Sequence, residues 1–304
     1  MEFPLSFFKG LWVALITPFS GSRLDEACLR NIVRDLRLAE VNGFVPVGTT
    51  GEGVTLSDGE RRRVIEICLE EAGSIPVVPS TGTYSTEETI HRTIEVAKMG
   101  THGAMVITPY YNKPTQEGLL AHFRAVARAT DLPLMLYNIP SRTGVNLEPA
   151  TLLRLAELPT IVAIKEASGS ILQISDIHAR LGDRIAILSG DDGLTLPVLS
   201  VGGCGVVSVL GHIVPQIIKE MLAAFGAGEA SRALTCHEKL SPLCKALFLE
   251  TNPAPIKAAM AMLGKCSEDV RLPLVTVRES TRKEIRAALE EVLGKPVMEG
   301  ARVH

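Results

Sequence analysis

The sequence predicts a (β/α)8 barrel followed by a smaller C-terminal helical domain. Eight short apolar runs occur in succession, and helical patterns separate them. Each run is almost continuously apolar, which is typical of parallel strands covered on both faces. Eight consecutive strand–helix units favour a closed barrel over the alternative, a doubly wound open sheet. The runs cover residues 11–17, 43–47, 76–79, 104–108, 133–137, 161–165, 185–189 and 205–209.

The segments between the runs carry helix signals. Ser57 and Glu60 have the spacing of a capping box, and so do Ser85 and Glu88. Two further segments place apolar residues at helical spacing on one face. These residues are Leu29, Ile32, Val33 and Leu36 in the first segment and Ile174, Ile177 and Leu181 in the second.

The strand signal ends near residue 228. The segments 231–248, 254–263 and 277–293 all have helical patterns. We therefore predict a barrel domain with the active site over 1–228, a C-terminal helical domain over 229–294 and a tail over 295–304.

Composition and charge exclude several classes of protein. The net charge of −3 and the pI near 6.2 provide no basic field for nucleic acid. The sequence contains no uninterrupted window of about 18 apolar residues, so no membrane span is expected. The six cysteines form no CxxC pair and the seven histidines no metal-binding motif, so neither disulfides nor a metal site are expected. A cytoplasmic protein is predicted.

Lys165 is the first candidate for a catalytic residue, because it ends the apolar run 161–165. Burial disfavours a charged ammonium group and lowers its pKa from about 10.4. A neutral amine is what Schiff-base formation with a carbonyl compound requires. A strand-end lysine that reaches solvent, or pairs with an acid, is the alternative. Adjacent strand residues point to opposite faces, so Glu166 is not expected to pair with it.

Further candidates follow the other predicted strands. The four tyrosines, Tyr84, Tyr110, Tyr111 and Tyr137, all follow strands three to five, where a phenol could relay protons or simply pack at the rim. The glycine-flanked turn 48–53 offers N–H groups and hydroxyls to a small anion, although a plain tight turn fits equally. Arg142 could hold a carboxylate or lie on the surface.

Six segments together resemble the dihydrodipicolinate synthase family, of the pyruvate-dependent class I aldolases and lyases. They are 48–52 (GTTGE), 108–114 (TPYYNKP), 137–144 (YNIPSRTG), 164–167 (IKEA), 189–192 (SGDD) and 252–257 (NPAPIK). The resemblance implies that Lys165 forms a Schiff base with pyruvate, whose enamine then attacks L-aspartate 4-semialdehyde. The expected product is 4-hydroxy-tetrahydrodipicolinate, and no metal or organic cofactor is implied.

The resemblance also implies a role for each matching residue. Tyr137 would shuttle protons, connected through Thr49 to Tyr111 of a neighbouring subunit. Thr49 and Thr50 would bind the carboxylate of pyruvate, and Arg142 that of the semialdehyde. Gly190 and Val207 match main-chain positions that line the pocket. The resemblance also implies a homotetramer built from tight dimers, the common assembly of this family, and sharing of Tyr111 would require a neighbouring subunit.

Relatives on the same fold leave the substrate open. N-acetylneuraminate lyase and the 2-keto-3-deoxy acid and hydroxy-oxoglutarate aldolases keep the Schiff-base lysine and the tyrosine. They usually lack an arginine at the position of Arg142, which favours the synthase. A non-catalytic barrel that binds or regulates is the hypothesis from a different class, and the complete set of catalytic residues disfavours it.

The family's site for feedback inhibition by lysine lies at a dimer interface. Its positions match Gly53, Val54, Asp58, Arg61, Tyr84, Glu88 and Tyr110. Arg61 places a cation where a cationic ligand would bind, and Tyr84 replaces a small amide. We therefore expect altered or absent inhibition by L-lysine.

Overall fold

A computed structural model describes residues 5–297, with side chains from residue 7. The described residues group into two compact units. The first unit comprises residues 5–12 and 76–208, and the second comprises 13–75 and 209–297. The predicted tail over 295–304 lies outside the described residues from 298 on. The predicted division at residue 228 stays a prediction.

From residue 104 to residue 226, each strand is followed by one or two α-helices. The strands are β1 (Gly10–Ala14), β2 (Phe19–Ser20), β3 (Arg23–Leu24), β4 (Gly43–Val45), β5 (Ala104–Ile107), β6 (Leu134–Asn138), β7 (Ile161–Glu166), β8 (Ala186–Ser189) and β9 (Gly205–Ser208). The helices are α1 (Glu26–Leu38), α2 (Asp58–Glu71), α3 (Thr86–Lys98), α4 (Gln116–Arg128), α5 (Pro140–Thr143), α6 (Pro149–Leu155), α7 (Ile171–Leu181), α8 (Thr195–Ser200), α9 (Pro215–Gly226), α10 (Ala230–Ala246), α11 (Ala254–Met262) and α12 (Glu279–Leu293).

Within the described residues, seven strands form one sheet in the order β4–β1–β9–β8–β7–β6–β5, and β2 pairs with β3 in an antiparallel hairpin. The strands β5 to β9 pair in parallel with their neighbours along the chain. The side chains of β5 to β9 are nearly all buried, which explains why their sequences do not alternate. The alternation of parallel strands and returning helices confirms the predicted (β/α)8 fold class.

The run 76–79 does not form the strand that the sequence predicts. Its neighbour Ser80 makes an isolated parallel bridge to Met105, and Thr81 N–H donates to the Met105 carbonyl at 2.9 Å. The two prolines of the run, Pro76 and Pro79, lack the N–H groups that a regular ladder requires. The segment therefore follows β5 without becoming an extended strand.

The predicted helix starts are confirmed in one case and corrected in part in the other. Ser57 and Glu60 form a reciprocal capping box at the start of α2. Ser85 caps α3 by accepting from Glu88 N–H, but the Glu88 carboxylate accepts from Arg92 at 2.6 Å instead of returning to the cap. An arginine one turn later competes for that carboxylate, because residues at i and i+4 are neighbours on a helix.

The apolar faces predicted for α1 and α7 are buried as expected. Three helices, α10 to α12, occupy the C-terminal region where the sequence predicts helices alone. Helix α10 packs against α9 and α12, and α11 packs against α12. The predicted C-terminal helical region is therefore confirmed as an architecture.

Two buried histidines hold neutral rings in the fold. His212 bridges two backbone groups of the second unit: its Nε2 accepts from Ile16 N–H at 3.2 Å and its Nδ1 lies 2.8 Å from the Val209 carbonyl. His122 contacts the Thr86 hydroxyl through Nδ1 at 2.9 Å. Burial lowers the pKa of each ring to about 4.

We predict a loss of stability in mild acid. Each histidine must be neutral when folded but has a pKa near 6.5 when unfolded. Their contribution is therefore complete above about pH 6.5 and is lost as the pH falls towards 4, by up to roughly 3 kcal/mol for each ring. Denaturant unfolding at pH 7, 5.5 and 4.5 measures this loss.

The variant His122→Gln removes one of the two titrating groups. Its free energy of unfolding should fall less steeply with pH than that of the wild type. The matched control is His91→Gln, because His91 is exposed on α3. If His122→Gln follows the wild-type pH dependence, burial of this ring does not cause the acid sensitivity.

Candidate active site

Lys165 is the penultimate residue of β7 and is only 6% exposed. The strand register places it beside Tyr137 of β6 and Leu188 of β8. Its amine therefore lies at the carboxyl end of a buried parallel strand, the end at which barrel enzymes build their active sites.

Burial lowers the pKa of Lys165 to about 8. The negative charge of Asp192 acts in the opposite direction, and the positive charge of Arg142 lowers the pKa further. With this pKa, roughly a tenth of the amine is neutral at pH 7, several hundred times more than for an ordinary lysine. The side chain is thus prepared to act as a nucleophile towards a carbonyl carbon.

Tyr137 lies directly beside this amine. The Nζ of Lys165 is 4.2 Å from the centroid of the Tyr137 ring, and the ring is 4% exposed. The structure thus brings together the two residues that the sequence singles out for nucleophilic attack and proton relay. A phenol in this dry position is a suitable proton carrier.

Gly190 leaves room for the lysine side chain. A Cβ at this position would lie 2.7 Å from the Cβ of Ala167 and 3.2 Å from the Cε of Lys165. The glycine follows β8, and its N–H donates to the Glu166 carbonyl at 2.8 Å. Val207 is buried in β9, the strand beyond β8 in the sheet.

Asp192 and Ser208 are functional candidates that sequence reasoning missed. Both are buried, and the Ser208 hydroxyl donates to Asp192 Oδ1. The sequence signal that could have found them is an acidic residue shortly after one predicted strand and a serine within the next predicted strand. The carboxylate that raises the pKa of Lys165 is thereby held by an internal donor.

Glu166 points away from Lys165, as strand alternation predicts. Its carboxylate accepts from Asn138 Nδ2 at 3.1 and 3.2 Å, from Ser168 N–H at 2.6 Å and from Gln173 Nε2 at 3.2 Å. Asn138 also donates to Asn146 Oδ1 at 2.8 Å. Burial raises the pKa of Glu166, while these hydrogen bonds favour its charged form. The neighbours of Tyr137 and Lys165 are thus joined on the opposite face of the sheet.

Arg142 lies in α5, the short helix that follows β6, and its side chain is exposed. Its charge acts on Lys165, as the pKa of that amine shows. A guanidinium accessible from solvent can receive the carboxylate of an incoming molecule.

Thr49 and Thr50 belong to the second unit, in the turn after β4. Thr50 is 5% exposed, and its Oγ1 accepts from Asn252 Nδ2 at 2.9 Å. Glu52 N–H donates to the Thr49 carbonyl at 3.1 Å. A Cβ at Gly51 would lie 2.8 Å from the Leu15 carbonyl oxygen, so this position requires a glycine.

The residues of the expected lysine site fall into both units. In the first unit, the rings of Tyr84 and Tyr110 meet edge to face at 5.6 Å, and Tyr84 is 59% exposed. In the second unit, Arg61 is buried and its Nη1 donates to the Gly53 carbonyl at 3.0 Å. Arg61 therefore braces the turn after β4. The other members are the exposed Val54 and Asp58 and the Arg92-paired Glu88.

Tyr111 is 91% exposed and has a φ of 73°. A left-handed backbone is unusual for an aromatic residue and marks a position that its surroundings must hold in place. The phenol is presented outward from the first unit.

The part of the chain that the structure describes comprises residues 5–297. No helix of this part of the chain is long and apolar enough to cross a membrane. No group of three or more histidine, cysteine, aspartate or glutamate side chains in it is placed to hold a metal ion.

The (β/α)8 fold and the buried Lys165 are those expected of a pyruvate-dependent class I aldolase or lyase. Comparison with known families agrees with this class. The model of the dihydrodipicolinate synthetase family matches residues 7–292, and the chain belongs to this family. It is accordingly a lyase.

Individual relatives are similar over nearly their whole length. A 4-hydroxy-tetrahydrodipicolinate synthase from Thermomicrobium roseum is 49% identical over 96% of this chain and 99% of its own. The crystal structure of dihydrodipicolinate synthase from Aquifex aeolicus is 41% identical, with a TM-score of 0.93 over 95% of this chain and 99% of its own. A monomeric dihydrodipicolinate synthase variant is 39% identical, with a TM-score of 0.93 over 95% of this chain and 98% of its own.

The charges around Lys165 yield a directional prediction. Asp192→Asn removes the negative charge that raises the pKa of Lys165, so the pKa should fall. Arg142→Gln removes a positive charge, so the pKa should rise. Competitive acetylation of the folded protein at several pH values, followed by peptide mass analysis, measures the titration of this amine.

The control is Asp176→Asn, because Asp176 lies on the exposed face of α7 and pairs with Arg180. It should leave the titration of Lys165 unchanged. A rise in the pKa for Asp192→Asn, a fall for Arg142→Gln, or the same shift in both variants would contradict this account of the electrostatics.

Proposed function

We propose that the protein condenses pyruvate with L-aspartate 4-semialdehyde to give 4-hydroxy-tetrahydrodipicolinate, in the biosynthesis of diaminopimelate and lysine. The observation that carries this proposal is the buried Lys165 amine beside the ring of Tyr137. Synthases similar to this chain at nearly full length support the same reaction.

The reaction begins at Lys165. The neutral amine attacks the keto carbon of pyruvate, and loss of water gives the Schiff base. Removal of a methyl proton then gives an enamine, whose terminal carbon attacks the aldehyde carbon of the semialdehyde. The amino group of the bound semialdehyde portion displaces Lys165 from the Schiff-base carbon, which closes the ring and releases the free amine.

Tyr137 moves protons to and from these intermediates in this proposal, connected through Thr49 to Tyr111 of a second subunit. Thr49 and Thr50 bind the pyruvate carboxylate, and Arg142 binds that of the semialdehyde. The backbones at Gly190 and Val207 line the pocket. No metal or organic cofactor is needed, because the imine supplies the electron sink.

The proposed assembly is a homotetramer made of tight dimers in the cytoplasm, without nucleic-acid or membrane partners. The 91% exposure of Tyr111 supports it, because a phenol presented outward can complete a neighbour's proton relay. A net charge of −3 agrees with the absence of nucleic-acid binding.

The decisive experiment is reductive trapping. Borohydride with pyruvate should leave a stable adduct on Lys165, which peptide mass mapping locates. The control Lys165→Arg should give none, since a guanidinium stays protonated. Turnover of the semialdehyde then identifies the acceptor. If the folded wild-type protein forms no adduct, the proposed function is wrong. If it forms an adduct but does not turn over the semialdehyde, it is another pyruvate-dependent aldolase.

Titration with L-lysine tests the expectation for the residues that match the family's lysine site. We expect altered or absent inhibition, because Arg61 adds a cation to the expected site and like charges repel. Initial rates at saturating pyruvate, titrated with L-lysine, measure this. Strong inhibition at sub-millimolar L-lysine contradicts the expectation. Arg61→Ala would also remove the contact that braces Gly53, so it cannot separate the charge of Arg61 from its structural role. The variant to compare with the wild type is therefore Tyr84→Asn.

A further inference from the structure

The sequence segment 252–257 has no role in the proposed reaction, yet its polar side chains converge on the turn after β4. Lys257, in α11, is fully buried. Its Nζ pairs with Glu52 Oε1 and donates to the Asp269 carbonyl at 2.8 Å. A buried lysine that the chemistry does not use requires another explanation.

The Glu52 carboxylate connects the turn after β4 to the backbone at Arg271 as well as to Lys257. Its second oxygen, Oε2, accepts from Arg271 N–H at 2.8 Å. Glu52 has a φ of 50°, a left-handed backbone that its surroundings must stabilise. Lys257 and Arg271 also both contact the Phe19 ring, at 4.2 and 4.4 Å from its centroid.

Asn252 acts on the other end of the turn. Its amide donates to Thr50 Oγ1 at 2.9 Å, and both residues are buried. A hydroxyl oxygen that already accepts a hydrogen bond still carries its own hydrogen. The Asn252 contact therefore fixes the side chain of Thr50 while leaving its O–H to donate elsewhere.

We propose that Asn252 is a positioning residue for the anion-binding turn, orienting the Thr50 hydroxyl as a donor to the pyruvate carboxylate. Lys257 and Glu52 hold the backbone of the same turn, so that this donor is fixed before the substrate arrives. The inference rests on the proposed function, in which Thr50 contacts that carboxylate. It assigns to the C-terminal helical region a part in substrate binding.

The test is a double-mutant cycle between Asn252 and Thr50, with the pyruvate KM and kcat as readouts. Asn252→Ala should raise the KM for pyruvate about 10-fold and change kcat less than about threefold, because one oriented hydrogen bond is lost. Asn252→Ala in a Thr50→Val background should raise the KM little further, since the hydroxyl it orients is already absent.

Asn252→Asp distinguishes orientation from packing. It keeps the shape of the side chain but offers an acceptor in place of a donor, so the Thr50 O–H would turn towards it. Its KM should rise at least as much as that of Asn252→Ala. The control Thr251→Ala, at an exposed neighbouring position, should keep the wild-type KM. Thermal melts of each variant establish that it is folded.

The outcomes separate the two proposals. If the wild type is trapped by pyruvate but Asn252→Asp keeps the wild-type KM, the positioning role is wrong and the proposed function stands. If the losses from Asn252 and Thr50 simply multiply, Asn252 does not act through Thr50 and the inference is again wrong. If the wild type forms no adduct with pyruvate, the proposed function and this inference both fall.

Discussion

The exclusion of water from the amine of Lys165 is the constraint on which the site depends. The shift of its pKa to about 8 corresponds to roughly 3 kcal/mol against the charged form. That penalty arises because β7 is buried between β6 and β8. Asp192 prevents a larger shift, and Arg142 opposes Asp192. The amine thus remains a base strong enough to be a good nucleophile, yet partly neutral near physiological pH.

The two faces of β6 and β7 carry different pairs of side chains. Tyr137 and Lys165 are paired across the strands, and the next residues, Asn138 and Glu166, are paired with each other. The second pair is tied by side-chain hydrogen bonds, with donors that carry no formal charge. Because neighbouring strand residues point to opposite faces, a contact that fixes Asn138 to Glu166 also fixes the relative height of Tyr137 and Lys165. The spacing of Tyr137 and Lys165 is therefore fixed by contacts on the opposite face of the sheet.

Sequence patterns predicted what depends on local chemistry. The buried strands, the α2 cap and the strand-end lysine were all accessible, because periodicity, capping residues and burial act over a few residues. The run 76–79 failed as a strand because its two prolines remove ladder donors. Contacts between residues of different elements were not accessible: the Glu52–Lys257 pair joins residues 205 positions apart, and Ser208 at the end of β9 meets Asp192, which follows β8. Nothing in either local sequence names the partner.

The buried acids Glu52, Asp192 and Glu166 are each paired within their own unit, which limits the repulsion that they would exert on a carboxylate substrate. An unpaired acid near a bound anion would repel it, and burial strengthens that repulsion. Each acid instead has an internal donor: Lys257 for Glu52, side-chain amides for Glu166 and a hydroxyl for Asp192. A buried ion pair such as Glu52–Lys257 is weak evidence for stability, since its desolvation offsets its attraction. Its benefit is better sought in position, because it withdraws a charge from the turn and holds the backbone of Thr49 and Thr50 in one conformation.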